Sequence, residues 1–156
     1  AGIIFIPQLM LCASTAQAAF EVIKERLQST ASEQVSKGKI VIATVQGDIH
    51  DIGKNIVKVI LENYGYDIID LGKDVDPALV ASTVKEEEVK LVGLSALMTT
   101  TLPSMKKTIE MVKACAPSCR IMVGGAVLTP EYAMEIGADY YVKDAKESAD
   151  TAKEVL

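Results

Sequence analysis

The chain has 156 residues, 49% of them hydrophobic and 24% charged, with a formal net charge of −5. That is the length of one domain with a short extra segment, enough to bury a sizeable core without a disulfide or metal staple. The excess of acidic side chains argues against nucleic acid as a partner, and no apolar run is long enough to cross a membrane. Cys12, Cys115 and Cys119 are odd in number and form no Cys-x-x-Cys pair, which fits a reducing cytoplasm better than a secreted framework.

The apolar start from Ala1 to Cys12 lacks a basic leading region and a cleavage site, and Pro7 interrupts it, so it does not read as a signal peptide. With Ala rather than Met in first place, the chain is expected to continue upstream. From Pro7 to about Ser29, apolar residues including Leu9, Met10, Ala13, Phe20, Ile23 and Leu27 recur at helical spacing, and Pro7 suits a first turn. The polar stretch from Ser29 to Lys37, ahead of Gly38, reads as a linker. Two regions follow from this: a helical segment and linker over 1–37, and a domain over 38–156.

Beyond Lys39 short β-branched runs alternate with amphipathic segments. Strands are predicted at Ile40–Val45, Asp67–Leu71, Leu91–Ser95, Arg120–Val123 and Asp139–Val142. Helices are predicted at Gly53–Asn63, Pro77–Glu87, Leu102–Cys115, Pro130–Ile136 and Ala145–Val155. Apolar strands alternating with helices predict an α/β fold, a five-stranded parallel sheet covered on both faces in the flavodoxin-like (Rossmann-like) order. Ligands of such sheets sit beyond the carboxyl ends of the strands, at the point where the order reverses.

The loops at those ends hold the unusual residues. Gln46 to Asn55 follows the first strand and contains the one histidine of the chain; Ser95 to Thr101 follows the third; Gly124-Gly125-Ala126 ends the fourth. A phosphate-binding P-loop would need four residues between its glycines and a hydroxyl after the lysine, whereas five separate Gly47 from Gly53 and Asn55 follows Lys54. No Gly-x-Gly-x-x-Gly is present, and one histidine with distant cysteines does not make a zinc site. Asp48-x-His50 fits either a solvated loop histidine or a carboxylate that fixes the tautomer of a metal-ligating imidazole. Gly53, Ser95-x-Leu97 and Gly124-Gly125, each at a strand end of one crevice, favour the second.

Asp48-x-His50-x-x-Gly53, Ser95-x-Leu97 and Gly124-Gly125, in that order, resemble the cobalamin-binding domain of corrinoid methyltransferase proteins. The run from Gly47 to Ile56 is similar to methionine synthase and to the methanol and methylamine corrinoid proteins. Ala96 to Thr101 resembles the methylamine type most, and the opening segment resembles the end of the helical cap that precedes the domain in this family. The resemblance covers about Lys39 to the C-terminus and implies a cofactor, cobalamin or a related cobamide, bound with its nucleotide tail inserted in the domain. It makes His50 the lower axial ligand of cobalt, Asp48 its partner and Thr101 the hydroxyl that completes a relay. Gly47, Ile49, Asp51, Ile52 and Gly53 would belong to the cofactor-binding loop. Ser95, Leu97 and Thr99 would line the pocket of the lower base, and Gly124 and Gly125 would pass the nucleotide without clash.

The function so implied is a methyl carrier, cobalt alternating between Co(I) and methyl-Co(III) for methyl-donor and methyl-acceptor methyltransferases, with a reductive activase as a further partner. The chain is not expected to be catalytic alone. Alternatives are an adenosylcobalamin mutase small subunit, a cobalamin-dependent sensor or regulator, and, outside cobalamin, an interaction domain of the same fold. Elsewhere, Met105, Met111 and Cys12 read as core, Lys85-Glu86-Glu87-Glu88 as a solvated helix end, and Asp51 and Lys54 as a soluble rim to the His loop. Of Tyr140 and Tyr141, alternation should bury one and expose the other.

Overall fold

The computed structural model describes Ser36–Leu156, together with Thr15, Ala18, Ala19 and Val22 of the preceding segment. Those four residues are helical; the rest of the predicted first helix, with Cys12, lies outside the described residues. The chain divides into two units, Ala1–Val35 and Ser36–Leu156. The second unit runs β1 (Lys39–Thr44), α1 (Ile52–Asn63), β2 (Asp67–Asp70), α2 (Pro77–Glu86), β3 (Leu91–Ser95), a 3-10 turn (Thr99–Thr101), α3 (Leu102–Cys115), β4 (Arg120–Gly124), α4 (Pro130–Glu135), β5 (Tyr140–Tyr141) and α5 (Ala145–Val155). All strand pairs are parallel, in the order β2-β1-β3-β4-β5.

The helices stop and start where local chemistry dictates. Asp76, Thr129 and Asp144 cap α2, α4 and α5 with side-chain oxygens on first-turn amides, and Pro77 and Pro130 occupy first turns that need no donor. The first turn of α1 has no side-chain cap: Asp51 stands in the capping position without bonding it. β5 is shorter than its sequence suggests, because only Tyr140 and Tyr141 pair in register with β4. The flanking amides of Asp139 and Val142 still reach the Ile121 and Val123 carbonyls at 2.8 and 2.9 Å. Both tyrosines are half-buried, as suits an edge strand, so the expected split between one buried and one exposed ring is not found.

Strand alternation sorts the sheet into two unlike faces. Val41, Ala43, Val92, Leu94, Ile121 and Val123 pack under α2, α3 and α4 in the larger core, which also takes Met105 and Ile109. Ile40, Ile42, Leu91 and Met122 face α1 and α5, which contribute Leu61, Ala149 and Ala152. Along this second face side-chain size falls toward the carboxyl ends of the strands. Ile42, Gly93 and Met122 lie in one cross-strand row, and Thr44, Ser95 and Gly124 in the next. Where large residues stop, the layer of helices loses its packing partner and a cleft opens.

Candidate functional site

The cleft has a volume of about 720 Å³. Ile42, Gly93 and Met122 line its floor, the His50 loop and the start of α1 form one wall, and Tyr141 to Ala145 with Ser148 form the other. Ser95, Ala96, Leu97, Gly124 and Gly125 border it at the strand ends. Ile49, Ile52 and Leu97 are exposed although large and apolar, and all three line the cleft. A cluster of apolar side chains in water at one rim marks a binding surface.

The His50 loop begins with a turn in which the Asp48 amide bonds the Val45 carbonyl at 3.0 Å, with Gly47 at φ 87 in its third position. This drives the Asp48 side chain inward, where it is 0% exposed. One carboxylate oxygen accepts the His50 amide at 3.0 Å and His50 Nδ1 at 2.8 Å. The other accepts the amides of Leu97 and Met98 at 2.6 and 3.2 Å, and lies 3.3 Å from Thr101 Oγ1. Burial alone would raise the pKa of Asp48, but the amides of Leu97, His50 and Met98 and the His50 ring outweigh it and hold the carboxyl at about 2. An ionised Asp48 can only accept, so Nδ1 carries a proton, and the neutral ring that fits this bond has its lone pair at Nε2. The His50 side chain is 47% exposed, borders the cleft, and has no protein partner at Nε2 among the described residues.

The Thr101 hydroxyl has a single proton to donate, and its shorter contact is to the Met98 carbonyl at 2.8 Å rather than to Asp48. Thr44, wholly buried, shares a 2.9 Å hydrogen bond with Ser95 Oγ and so ties the loops after β1 and β3 together. Neither Thr44 nor the small-residue row it belongs to stood out in the sequence. Comparing alternate positions of the three central strands would have revealed both.

The residues singled out in the sequence fall as follows. Ile49, His50, Asp51, Ile52, Gly53, Ser95, Leu97, Gly124 and Gly125 all line the cleft, and Asp48 and Thr101 are buried behind His50. Gly47 stands outside the lining, and its position is set by the turn and by the Thr101 methyl, 3.3 Å from where its Cβ would be. Thr99 is exposed at the start of the 3-10 turn and does not line the cleft; that turn carries the chain away from the strand end.

The glycines separate into two kinds. A Cβ on Gly53 would meet nothing within 4 Å, so no protein contact demands glycine there. A Cβ on Gly124 would stand 2.9 Å from the Val142 carbonyl oxygen, and one on Gly125, at φ 137, would overlap the Ala96 carbonyl. These two are required by the protein's own packing, whatever passes over them. Lys54 also departs from the solvated rim expected of it. It is 6% exposed, and its ammonium bonds Asp70 at the end of β2, which Lys58 approaches at 3.1 Å. Burial would raise the Asp70 pKa, but Lys54, the Gly72 amide and Lys58 together lower it.

The residues that build this cleft and the His50 loop lie within 38–153, the range matched by a family model described as the B12 binding domain. The chain belongs to the B12-binding domain family. Its cofactor class is therefore the corrinoid, as its motifs imply. Dimethylamine corrinoid protein 1 of Methanosarcina acetivorans is 40% identical to it over 99% of this chain and 73% of the relative. The solved monomethylamine corrinoid protein of Methanosarcina barkeri is 35% identical, with a TM-score of 0.77 over 98% of this chain and 73% of that one. A chain of the methanol:cobalamin methyltransferase complex MtaBC of the same organism is 31% identical, with a TM-score of 0.75 over 99% of this chain and 58% of its own. Among the described residues of this B12-binding protein, no helix is long and apolar enough to cross a membrane.

Proposed function

We propose that this protein is the methyl-carrying corrinoid subunit or domain of a methylamine-type methyltransferase system, with His50 Nε2 as the lower ligand of cobalt. The observation that carries the reading is the His50 ring itself: Nδ1 is locked to a buried carboxylate at 2.8 Å while Nε2 is left unpaired at the mouth of an apolar cleft. The donor suits the metal, since a neutral imidazole oriented by a carboxylate is a common ligand for a borderline transition ion. The cleft suits a long tail, because Gly53 adds no side chain to its wall and Gly93 none to its floor.

Bound there, a corrinoid supplies a cobalt centre able to accept a methyl group and pass it on. The protein's own residues orient and shield. Asp48 holds the imidazole in one tautomer and one direction, and the Leu97 and Met98 amides hold Asp48, with the Thr101 hydroxyl beside it. Ser95 offers a hydroxyl, half engaged by Thr44, to a polar atom of the lower base. Ile49, Ile52 and Leu97, exposed at the cleft, would offer a corrinoid an apolar seat. Identity with the dimethylamine corrinoid proteins over nearly the whole chain favours the carrier over a mutase subunit or a sensor. Methyl-donor and methyl-acceptor methyltransferases would then be the partners, with an activase as a third. The setting proposed is the reducing cytoplasm.

Reconstitution with hydroxocobalamin tests this. The expected result is one corrinoid per chain with the spectrum of a cobalamin whose own base is displaced, and loss of that spectrum's imidazole-dependent features in His50→Gly. Equal spectra for the two proteins would refute His50 as the ligand.

A further inference from the structure

The loop between β2 and α2 grips the His50 loop from the side away from Thr101. Asp74 and Glu88 are the non-glycine residues with positive φ among the described residues, Asp74 at φ 55. In that conformation two groups of Asp74 reach two adjacent residues of the turn. Its carboxylate accepts the Gly47 amide at 2.7 Å, and its own amide donates to the Asp48 carbonyl at 2.9 Å. The turn from Val45 to Asp48 leaves the Gly47 amide without a partner inside the turn, and Asp74 provides one. The loop is itself anchored, because the Val75 amide bonds the Thr44 carbonyl at 3.1 Å and Val45 and Val75 form a parallel bridge.

We propose that Asp74 is a positioning residue for the cofactor site: by holding the Gly47 amide and the Asp48 carbonyl, on either side of the peptide that joins these two residues, it keeps the Asp48 carboxylate aligned on His50 Nδ1 and so keeps Nε2 free and correctly aimed. The inference rests on reading His50 as the group that faces cobalt. Asp48 is otherwise held through its own amide, on the Val45 carbonyl at 3.0 Å within the turn, and through its side chain, by the Leu97 and Met98 amides of the loop after β3. Without the clamp the Gly47 amide and the Asp48 carbonyl lose their partner, the turn is closed by the Val45–Asp48 bond alone, and a shift of the Asp48 backbone about its anchored carboxylate lengthens the bond to the imidazole. Aspartate suits the position for two reasons: it accepts a hydrogen bond, and with asparagine it tolerates the left-handed region better than other side chains.

Three substitutions separate these roles. Asp74→Asn keeps the acceptor and the backbone conformation, Asp74→Gly keeps only the conformation, and Asp74→Ala keeps neither. Because His50 is the one histidine in the chain, labelling histidine with nitrogen-15 reports on it alone. In the protein without cofactor, at a pH where the ring is neutral, nitrogen chemical shifts give the ratio of the two tautomers. Wild type and Asp74→Asn are expected to favour the Nδ1-protonated form. Asp74→Gly and Asp74→Ala should lose that preference by roughly fivefold to tenfold, the worth of one hydrogen bond. Loaded with cob(II)alamin, the labelled wild type and Asp74→Asn should show a two-line nitrogen splitting in the electron paramagnetic resonance spectrum, weakened in the other two variants. An unchanged tautomer ratio in Asp74→Gly overturns the proposal, and this variant decides even where Asp74→Ala does not fold. A shifted ratio with no two-line splitting in the loaded wild type upholds the clamp and refutes instead His50 as the cobalt ligand.

Discussion

Gly53 and Gly125 carry the same letter for opposite reasons, and substitution separates them. Gly53 sits in the first turn of α1 with open space where a Cβ would be. Gly53→Leu should therefore fold, with apo-stability unchanged or raised by up to about 1 kcal/mol through helix propensity, while losing hydroxocobalamin binding. Gly125→Ala should instead destabilise the apo-protein by about 2–4 kcal/mol, since its Cβ collides with the Ala96 carbonyl in a backbone region that only glycine enters readily. Thermal unfolding and binding stoichiometry, measured on both, check the pair; normal stoichiometry in Gly53→Leu would count against the tail lying here. At Asp48 the sign of the pH effect is fixed by the folded-state value of about 2, below the roughly 3.9 of a free aspartate. Its stabilisation, about 2 kcal/mol, is complete above about pH 4 and lost as pH falls toward 2. Asp48→Asn should flatten that part of the stability profile in urea titrations, and should destabilise at neutral pH by turning an amide NH₂ toward the Leu97 and Met98 donors.

At the scale of elements, α1 is the part of the fold held by charge as well as by packing. Its buried side chains are Lys54 and Leu61, and its first turn has no side-chain cap, so the Lys54–Asp70 pair fastens its start to the end of β2. Removing one member leaves the other charge buried, which costs about 3–5 kcal/mol, whereas replacing both with apolar residues is often neutral. Asp70→Asn should thus destabilise strongly, and Lys54→Met with Asp70→Leu should recover most of the loss. A double-mutant cycle with hydrogen exchange at the amides of α1 reads both effects. Lys54 also shows what the sequence hides. The strands, their order and the crevice at their ends were legible, because short β-branched runs alternating with amphipathic segments are local patterns that specify a parallel sheet. Lys54 is on α1 and its partner lies sixteen residues away at the end of β2, and a lysine near an acidic loop looks solvated until β2 is placed beside β1. Asp48, His50 and the glycines could be seen as a motif. That Gly124 and Gly125 answer to Val142 and Ala96 depends on how β3, β4 and β5 approach one another, which no spacing records.

For the molecule as a whole, the two faces of the sheet are unequal in what the chain alone supplies. The α2–α3–α4 side is filled by its own residues, while the α1–α5 side tapers from Ile42 and Met122 to Thr44, Ser95 and Gly124. A ligand seated in that taper completes a core, and binding to the folded state alone adds about 2.7 kcal/mol at a hundredfold excess over its dissociation constant. Hydroxocobalamin should raise the melting temperature of the wild type in a concentration-dependent way and leave Gly53→Leu unmoved, as differential scanning fluorimetry would show. The same taper has a consequence for the protein's lifetime in the cell. Degradation follows the population of open forms, so a stabilisation of this size lowers susceptibility to proteases by about a hundredfold. Chains without corrinoid should therefore be degraded faster than chains that hold it, and the abundance of the protein should follow the supply of its cofactor.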